Sequence, residues 1–201
     1  REFIARENMS GLEDIMGKEV ISSDAIIIGT VDGVAVDTDN WKVPAIRISV
    51  RKGNEAALAM KKKAIGSQKI YVATPQVSSV SDTVTLAVKM DQVKEVVVDE
   101  KKVPVTAGAL LNKKVVGQDG KQVGFMDNLH FDAGRGWEIG KLGIKLDKAA
   151  KQTLDLQKGL APASQITILT KDVKTVGDMV MLRLDLDGLK DYLNKKPVSK
   201  K

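Results

Sequence analysis

The stretch from Lys18 to Trp41, KEVISSDAIIIGTVDGVAVDTDNW, returns from Lys113 to Trp137 as KKVVGQDGKQVGFMDNLHFDAGRGW. An offset of 95 residues carries Lys18, Val20, Asp24, Gly29, Asp32 and Asp37 onto Lys113, Val115, Asp119, Gly124, Asp127 and Asp132, and Val36 onto Phe131. One inserted residue then makes the offset 96. It carries Trp41 onto Trp137, and Val77, Val80, Asp82, Val84, Leu86 and Val88 onto Val173, Val176, Asp178, Val180, Leu182 and Leu184. A repeat of this length is a domain and too long for a solenoid unit. The expected organisation is a first domain over 12–98, a linker over 99–108, a second domain over 109–194 and a basic tail over 195–201.

Aromatic residues make up only 3% of the 201 residues. The cores must therefore come from Val, Ile, Leu, Ala and Met, and the β-branched residues among these favour strands, so a mainly β fold is expected. No apolar run approaches the roughly 20 residues that span a bilayer. The start, REFIARENMSG, lacks the apolar core of a secretory signal. A soluble, cytoplasmic protein is the expectation. With no cysteine in the chain, a reducing compartment fits, and thiol catalysis, disulfides and thiolate metal sites are all excluded.

The net charge of +6 raises the question of nucleic acid. Its position answers in part: four of the positive charges sit in the closing NKKPVSKK, whereas a nucleic-acid footprint needs basic residues clustered on a folded face. The run Lys61-Lys62-Lys63 is the only internal basic cluster. These three, with Lys195 and Lys196 in the tail, are the candidate contacts if RNA is the partner.

Leu12, Ile15 and Met16 form a short apolar stripe, and Gly17 releases the chain into the first strand. Phe3 and Ile4 ahead of it are candidates to pack on the barrel or on a partner. The next strand, 26–36, carries Gly29 and Gly33, which suit a bulge or tight bend in a strand that curls. Residues 36–40 are a turn by their Asp and Asn content, and 132–136 are the counterpart with glycines. Residues 45–51 alternate apolar and polar, as do 142–146, which marks strands with one wet face. Segments 54–64 and 147–156 read as a short helix or irregular connection. Strands over 69–74 and 83–88, and over 165–170 and 179–184, close each copy, with VSSVSD and VKTVGD as the connections between them. A short amphipathic helix ends each copy, over 90–97 and 186–193. Five or six short strands in about 85 residues make a small barrel.

The order of these residues resembles the PRC-barrel family, known from the photosynthetic reaction centre H subunit and the ribosome maturation factor RimM. Lys18, Val20, Asp24, Gly29, Asp32, Asp37, Val77, Val80, Asp82, Val84 and Leu86 carry the resemblance in the first copy. Lys113, Val115, Asp119, Gly124, Asp127, Asp132, Val173, Val176, Gly177, Asp178, Val180 and Leu182 carry it in the second. The resemblance implies two tandem PRC-type β-barrels, each with a short C-terminal helix, whose motif glycines and aspartates are turn residues. It also implies two functional classes. One is an archaeal cell-division adaptor that binds a SepF-like anchor of the FtsZ ring or another PRC-barrel protein, with a homodimer possible, at the division site and touching the membrane only indirectly. The other is a RimM-like factor that binds a ribosomal protein or rRNA.

No set of residues points to catalysis, so no enzyme and no cofactor are expected. His130 is the only histidine, and a zinc site needs further ligands. Asp37/Asp39 and Asp185/Asp187 lack calcium-loop spacing and read as turn and capping residues; no metal site is expected. The glycines form neither GxGxxG nor a P-loop. Binding remains, with four candidates for the partner surface. Trp41 and Trp137 stand just past equivalent turns as anchors or as plugs of a barrel mouth, and Arg47 and Arg51 lie on the strand that follows. Open sheet edges are a further candidate, through strand addition.

Overall fold

The computed structural model describes residues 9–61, 65–155 and 164–194; the expectations for Phe3, Ile4 and the basic tail lie outside them. The chain divides into two compact units: one runs to Gly108 and includes His130–Ile139, and the other comprises Ala109–Leu129 and the chain from Gly140 onward.

The first unit opens with β1 (Ser10–Gly11) and α1 (Leu12–Ile15), followed by β2 (Glu19–Ile21), β3 (Ile27–Val34), β4 (Ala45–Val50), β5 (Lys69–Ala73), β6 (Val77–Val80), β7 (Val84–Leu86) and β8 (Val97–Val98). Seven of these strands form one sheet in the order β6-β7-β2-β3-β4-β5-β8. β2 runs parallel to β7, and the other pairings are antiparallel. Alternation buries Ile46, Ile48 and Val50 from β4 beside Ile28 and Val31 from β3, and α1 adds Leu12 and Ile15. Met16 of the expected stripe is exposed instead.

The later part holds α2 (Ala107–Leu110), β9 (Lys114–Val116), β10 (Gln122–Asp132), β11 (Glu138–Leu146), α3 (Lys148–Thr153), β12 (Gln165–Leu169), β13 (Val173–Val176), β14 (Val180–Leu182) and α4 (Leu186–Asn194). Its sheet order is β13-β14-β9-β10-β11-β12, with β9 parallel to β14. This repeats the first order strand for strand through β5. The fold is mainly β, built on a curled half-barrel sheet, as the composition requires.

Four pairs of equivalent residues share the left-handed backbone region, one of them Ala59 and Asp155 with φ of 56° and 59°. Gly17 and Asn112 have φ of 79° and 65°, Ala25 and Gly120 have 63° and 79°, and Trp41 and Trp137 have 49° and 62°. Only Gly, and less readily Asn, adopts this region without a steric penalty, which explains why Gly or Asn precedes the motif lysine in the two copies. Ala25 pays that penalty where the second copy has glycine. Ala25→Gly is therefore expected to stabilise the first unit by about 1 kcal/mol, checked by urea denaturation.

Gly29 and Gly124 have a different reason. A Cβ on Gly29 would lie 2.0 Å from the Ser49 carbonyl oxygen, and one on Gly124 would lie 2.0 Å from that of Lys145. The strands cross too closely there for any side chain. The expected bulge falls beside this point, as a register shift between Val31 and Gly33.

Three expectations change. VSSVSD and VKTVGD are not plain connections, because β6 and β13 form antiparallel hairpins with β7 and β14. Their valines are three residues apart, so no two-residue period announces a strand; register shifts at Val77/Ser79 and Val173/Thr175 supply the extra residue that reconciles this spacing with a strand. The first copy's closing helix is a 3-10 helix over Met90–Glu95. The β-branched run Val96-Val97-Val98 then leaves helix, and Val97 and Val98 pair with Val72 and Tyr71. Segment 99–108 is packed onto the first unit, since Val36 N–H donates to the Val105 carbonyl (2.8 Å), Thr106 bridges Ala35, and Val103 packs on Ala35, Ala45 and Tyr71. Segments 54–64 and 147–156 divide the two forms read for them: the described part of the first is a series of turns, and the second is helical as α3, where the Asp147 carboxylate accepts the Ala150 N–H (2.7 Å).

Candidate partner-binding site

The turn after β3 is built by one side chain. The Asp37 carboxylate accepts N–H bonds from Asp39 (2.9 Å) and Asn40 (3.1 Å) and the Asn40 side-chain amide (2.8 Å). Asp132 does the same to Gly134 N–H at 2.9 Å. Each turn delivers its tryptophan in a left-handed conformation, strained for so bulky a residue and held by what surrounds it.

Within the first unit the two tryptophan backbones are engaged. Ile139 N–H donates to the Trp41 carbonyl (2.7 Å) and Val43 N–H to the Trp137 carbonyl (2.9 Å), on either side of an antiparallel bridge between Lys42 and Glu138. Trp137 is buried, 5% exposed, and stacked on Phe131 with ring centroids 5.5 Å apart. The reading of Trp137 as a partner anchor is thereby corrected, because its ring already has its apolar neighbour. Trp41 is half-buried and keeps a face for contact.

Arg47 is also committed. Its Nε lies 2.7 Å from Asp32 Oδ1, and its Nη2 donates to the Asp32 carbonyl (3.1 Å); Lys69 Nζ meets the other carboxylate oxygen at 2.7 Å. Arg47 thus has its ion pair within the fold, whereas the Arg51 side chain is exposed beyond the end of β4. The same geometry corrects the reading of the motif aspartates as turn residues throughout. Asp32 sits inside β3 and ties three strands together. Asp127 inside β10 accepts from the side chain of Gln165, the residue equivalent to Lys69. Sequence reasoning had a signal for this in the alternation of β3, where Asp32 falls on the face that β4 and β5 share.

The motif lysine has a matching role. Lys18 Nζ donates to the Ser81 carbonyl, and Lys113 Nζ to the Gly177 carbonyl at 2.7 Å, so each clamps the turn of the β6–β7 or β13–β14 hairpin. Beside the first clamp a cleft of about 720 Å³ opens along β6, lined by Asp14, Ser79, Phe131 and Asp132 among others. Asp14 accepts the Gly11 N–H (2.7 Å), and Asp132 faces Gly134 N–H and, at 3.7 Å, Arg135. The charged groups around the cleft thus have partners within the fold.

The other candidates separate clearly. His130 is half-buried in β10 opposite Gly11. Asp185 accepts the Gly188 N–H (2.8 Å) and caps α4, with Gln118 on its second oxygen (3.3 Å). Among the described residues no three His, Asp or Glu side chains gather as a metal set, and no helix is long and apolar enough to cross a membrane. Lys61 is exposed; Lys62, Lys63, Lys195 and Lys196 lie outside the described residues.

Hydrogen bonding holds three carboxyls below their usual range: Asp24 through the Ser22 hydroxyl and then Met90 N–H, Asp37 through the Asn40 side chain, and Asp185 through Gly188 N–H and then Gln118. A depressed folded pKa contributes stability that is complete above the unfolded value and is lost as pH falls through the folded one. The urea midpoint is therefore expected to hold from neutral pH down to about 4 and to decline below it. A midpoint that stays level to pH 3 would contradict these bonds.

The family profile of the PRC-barrel domain matches residues 7–79. No curated protein matches the chain. Among solved structures, a 16S ribosomal RNA processing protein, RimM, from Pseudomonas aeruginosa is similar over 79% of this chain and 98% of its own, at 11% identity and a TM-score of 0.28.

Proposed function

We propose that this chain, whose residues 7–79 are a PRC-barrel domain, is a non-enzymatic adaptor that binds other proteins, and that its second unit is a further barrel of the same kind. One observation carries the reading. The polar residues that recur in both copies are spent on the fold itself: Lys18 and Lys113 on hairpin carbonyls, Asp32 on Arg47 and Lys69, and Asp127 on Gln165. What the sheets leave open is their edges, and an open edge is a surface for another chain. The repeated strand order and repeated lysine clamp support the second barrel. Two barrels on one chain offer two linked sites, which raises the effective concentration of the second contact once the first is made.

The family resemblance puts a SepF-like anchor of the FtsZ ring first among partners, with recruitment to mid-cell and indirect contact with the membrane. Affinity capture of the full chain from its native lysate, with and without nuclease, tests this. Enrichment of a SepF-like protein or FtsZ that survives nuclease is the expected result. Ribosomal proteins that vanish with nuclease would replace this reading with RimM-like ribosome maturation, and enrichment of neither would overturn it.

A further inference from the structure

The two sheets agree strand for strand except at one edge. In the first unit β5 is covered by β8, with Tyr71 opposite Val98 and Val72 opposite Val97. The equivalent strand of the second unit, β12, ends its sheet, and among the described residues nothing pairs with its outer side. The reason lies in the sequence. The residues that correspond to Val97 and Val98 are Leu193 and Asn194, and both belong to α4. The first copy turns its last helix into a strand after six residues, whereas the second continues the helix.

The polarity of the open edge follows from the hydrogen bond at the start of β12. Leu146 N–H donates to the Ser164 carbonyl (2.9 Å), which directs residue 164 toward β11. Strand alternation then directs Ile166 and Ile168 the same way, and turns the N–H and C=O groups of Gln165, Thr167 and Leu169 outward. The first unit follows the same rule, since Gln68 and Thr74 bond toward β4 and Tyr71, of opposite parity, meets β8. Position, direction and register of an added strand are thus shown by the other half of the chain.

Side-chain chemistry at this edge differs from that in the first unit. There β8 and its continuation rest on Ala35, Ala45 and Tyr71; Lys141 and Thr167 stand at the places of Ala45 and Tyr71. Register sets Lys141 opposite Leu169, Gly143 opposite Thr167 and Lys145 opposite Gln165. The face beside the edge therefore carries the exposed Lys145 next to Gly143, while Ile166 and Ile168 form the buried row on the other face.

We infer that the outer edge of β12 is a docking site for an extended segment of a partner protein, added antiparallel, with an acidic residue to meet the exposed Lys145 and β-branched residues at alternate positions to extend the Ile166/Ile168 row. The inference rests on the protein-binding reading above and specifies its surface. Backbone pairing supplies the attachment and alternate side chains the selectivity.

The test uses the full chain, ¹⁵N-labelled, titrated with a blocked hexapeptide that alternates glutamate and valine, and with a lysine/valine peptide as control. The expected result is a set of saturable shifts centred on the amides of Gln165, Thr167 and Leu169, with the glutamate peptide binding about tenfold tighter than the lysine peptide. Thr167→Pro removes an outward donor while leaving the bonds to β11 intact, a substitution an edge strand accepts. It is expected to weaken binding by about tenfold. N-methylation of the peptide's central valine should do the same with the protein unaltered, which keeps the test valid if the proline variant folds poorly. Three results would overturn the inference: no shifts at these amides, the same shifts produced by self-association without peptide, or shifts seen only after residues 195–201 are deleted. If the peptide fails while a SepF-like protein is still captured, the site is wrong and the adaptor reading stands.

Discussion

Gly29→Ala is expected to cost the first unit about 3 kcal/mol, and Gly124→Ala to cost the second unit a similar amount. Two effects oppose each other. Adding a methyl restricts the unfolded chain and by itself stabilises by about 0.4–1 kcal/mol. The methyl would also sit 2.0 Å from the main-chain oxygen of Ser49 or Lys145. Backbone atoms in a sheet cannot swing aside as a side chain can, so relief requires β3 to separate from β4, or β10 from β11, with loss of ladder hydrogen bonds. The clash wins by a wide margin. For a domain of this size 3 kcal/mol corresponds to a melting shift of about 15 °C. Gly33→Ala is the control. Its Cβ would meet the Arg47 guanidinium at 3.1 Å, the far end of a flexible side chain, so a change within about 1 kcal/mol is expected. Calorimetry of the three variants decides it, and equal effects at Gly29 and Gly33 would refute the close-approach account.

These glycines mark how far the sequence could be read. Gly29 and Gly124 stood out because they recur at one offset, and the curl of the strand was a fair inference from them. The cause was not visible, since it depends on which carbonyl passes over which Cα, a relation between strands distant in sequence. The same limit applied to Asp32. Its recurrence and its place in the alternation of β3 were plain, but that its partners are Arg47 and Lys69 depends on the register of β4 and β5, which the sequence does not spell out. β6 and β13 were missed for a local reason, because a bulge inserts a residue and breaks the period by which strands are recognised.

The candidate site was legible in position and illegible in exposure. Equivalent turns placed Trp41 and Trp137 correctly, and Asp37 and Asp132 build those turns as their chemistry requires. Whether each indole faces solvent depends on neighbours, and among the described residues only Trp137 has an aromatic one; Phe131 stands where the first copy has Val36. The side of β12 left unpaired among the described residues was beyond sequence reading for a further reason. It exists because a segment that is strand in one copy is helix in the other, a choice made by Val96-Val97-Val98 against Tyr192-Leu193-Asn194 and the residues around them.

Phe131→Ala is expected to destabilise by about 3–4 kcal/mol, in the range of a large-to-small change at a fully buried aromatic position. Phe131 is 1% exposed, and with aromatics at 3% of the chain, few large side chains are at hand to refill the space. Its loss also removes the stacking partner of Trp137, a contact that contributes about 1 kcal/mol beyond the buried area. The variant therefore has two separable signatures. Thermal stability falls, and the emission of Trp137, now facing a cavity or water, shifts to longer wavelength while Trp41 is unaffected. Phe131→Leu keeps most of the volume and loses the ring, so it should recover most of the stability but not the stacked environment of the indole. If leucine restored both signals, the contact at 5.5 Å would be one of volume alone, and the strained backbone at Trp137 would need another source of support.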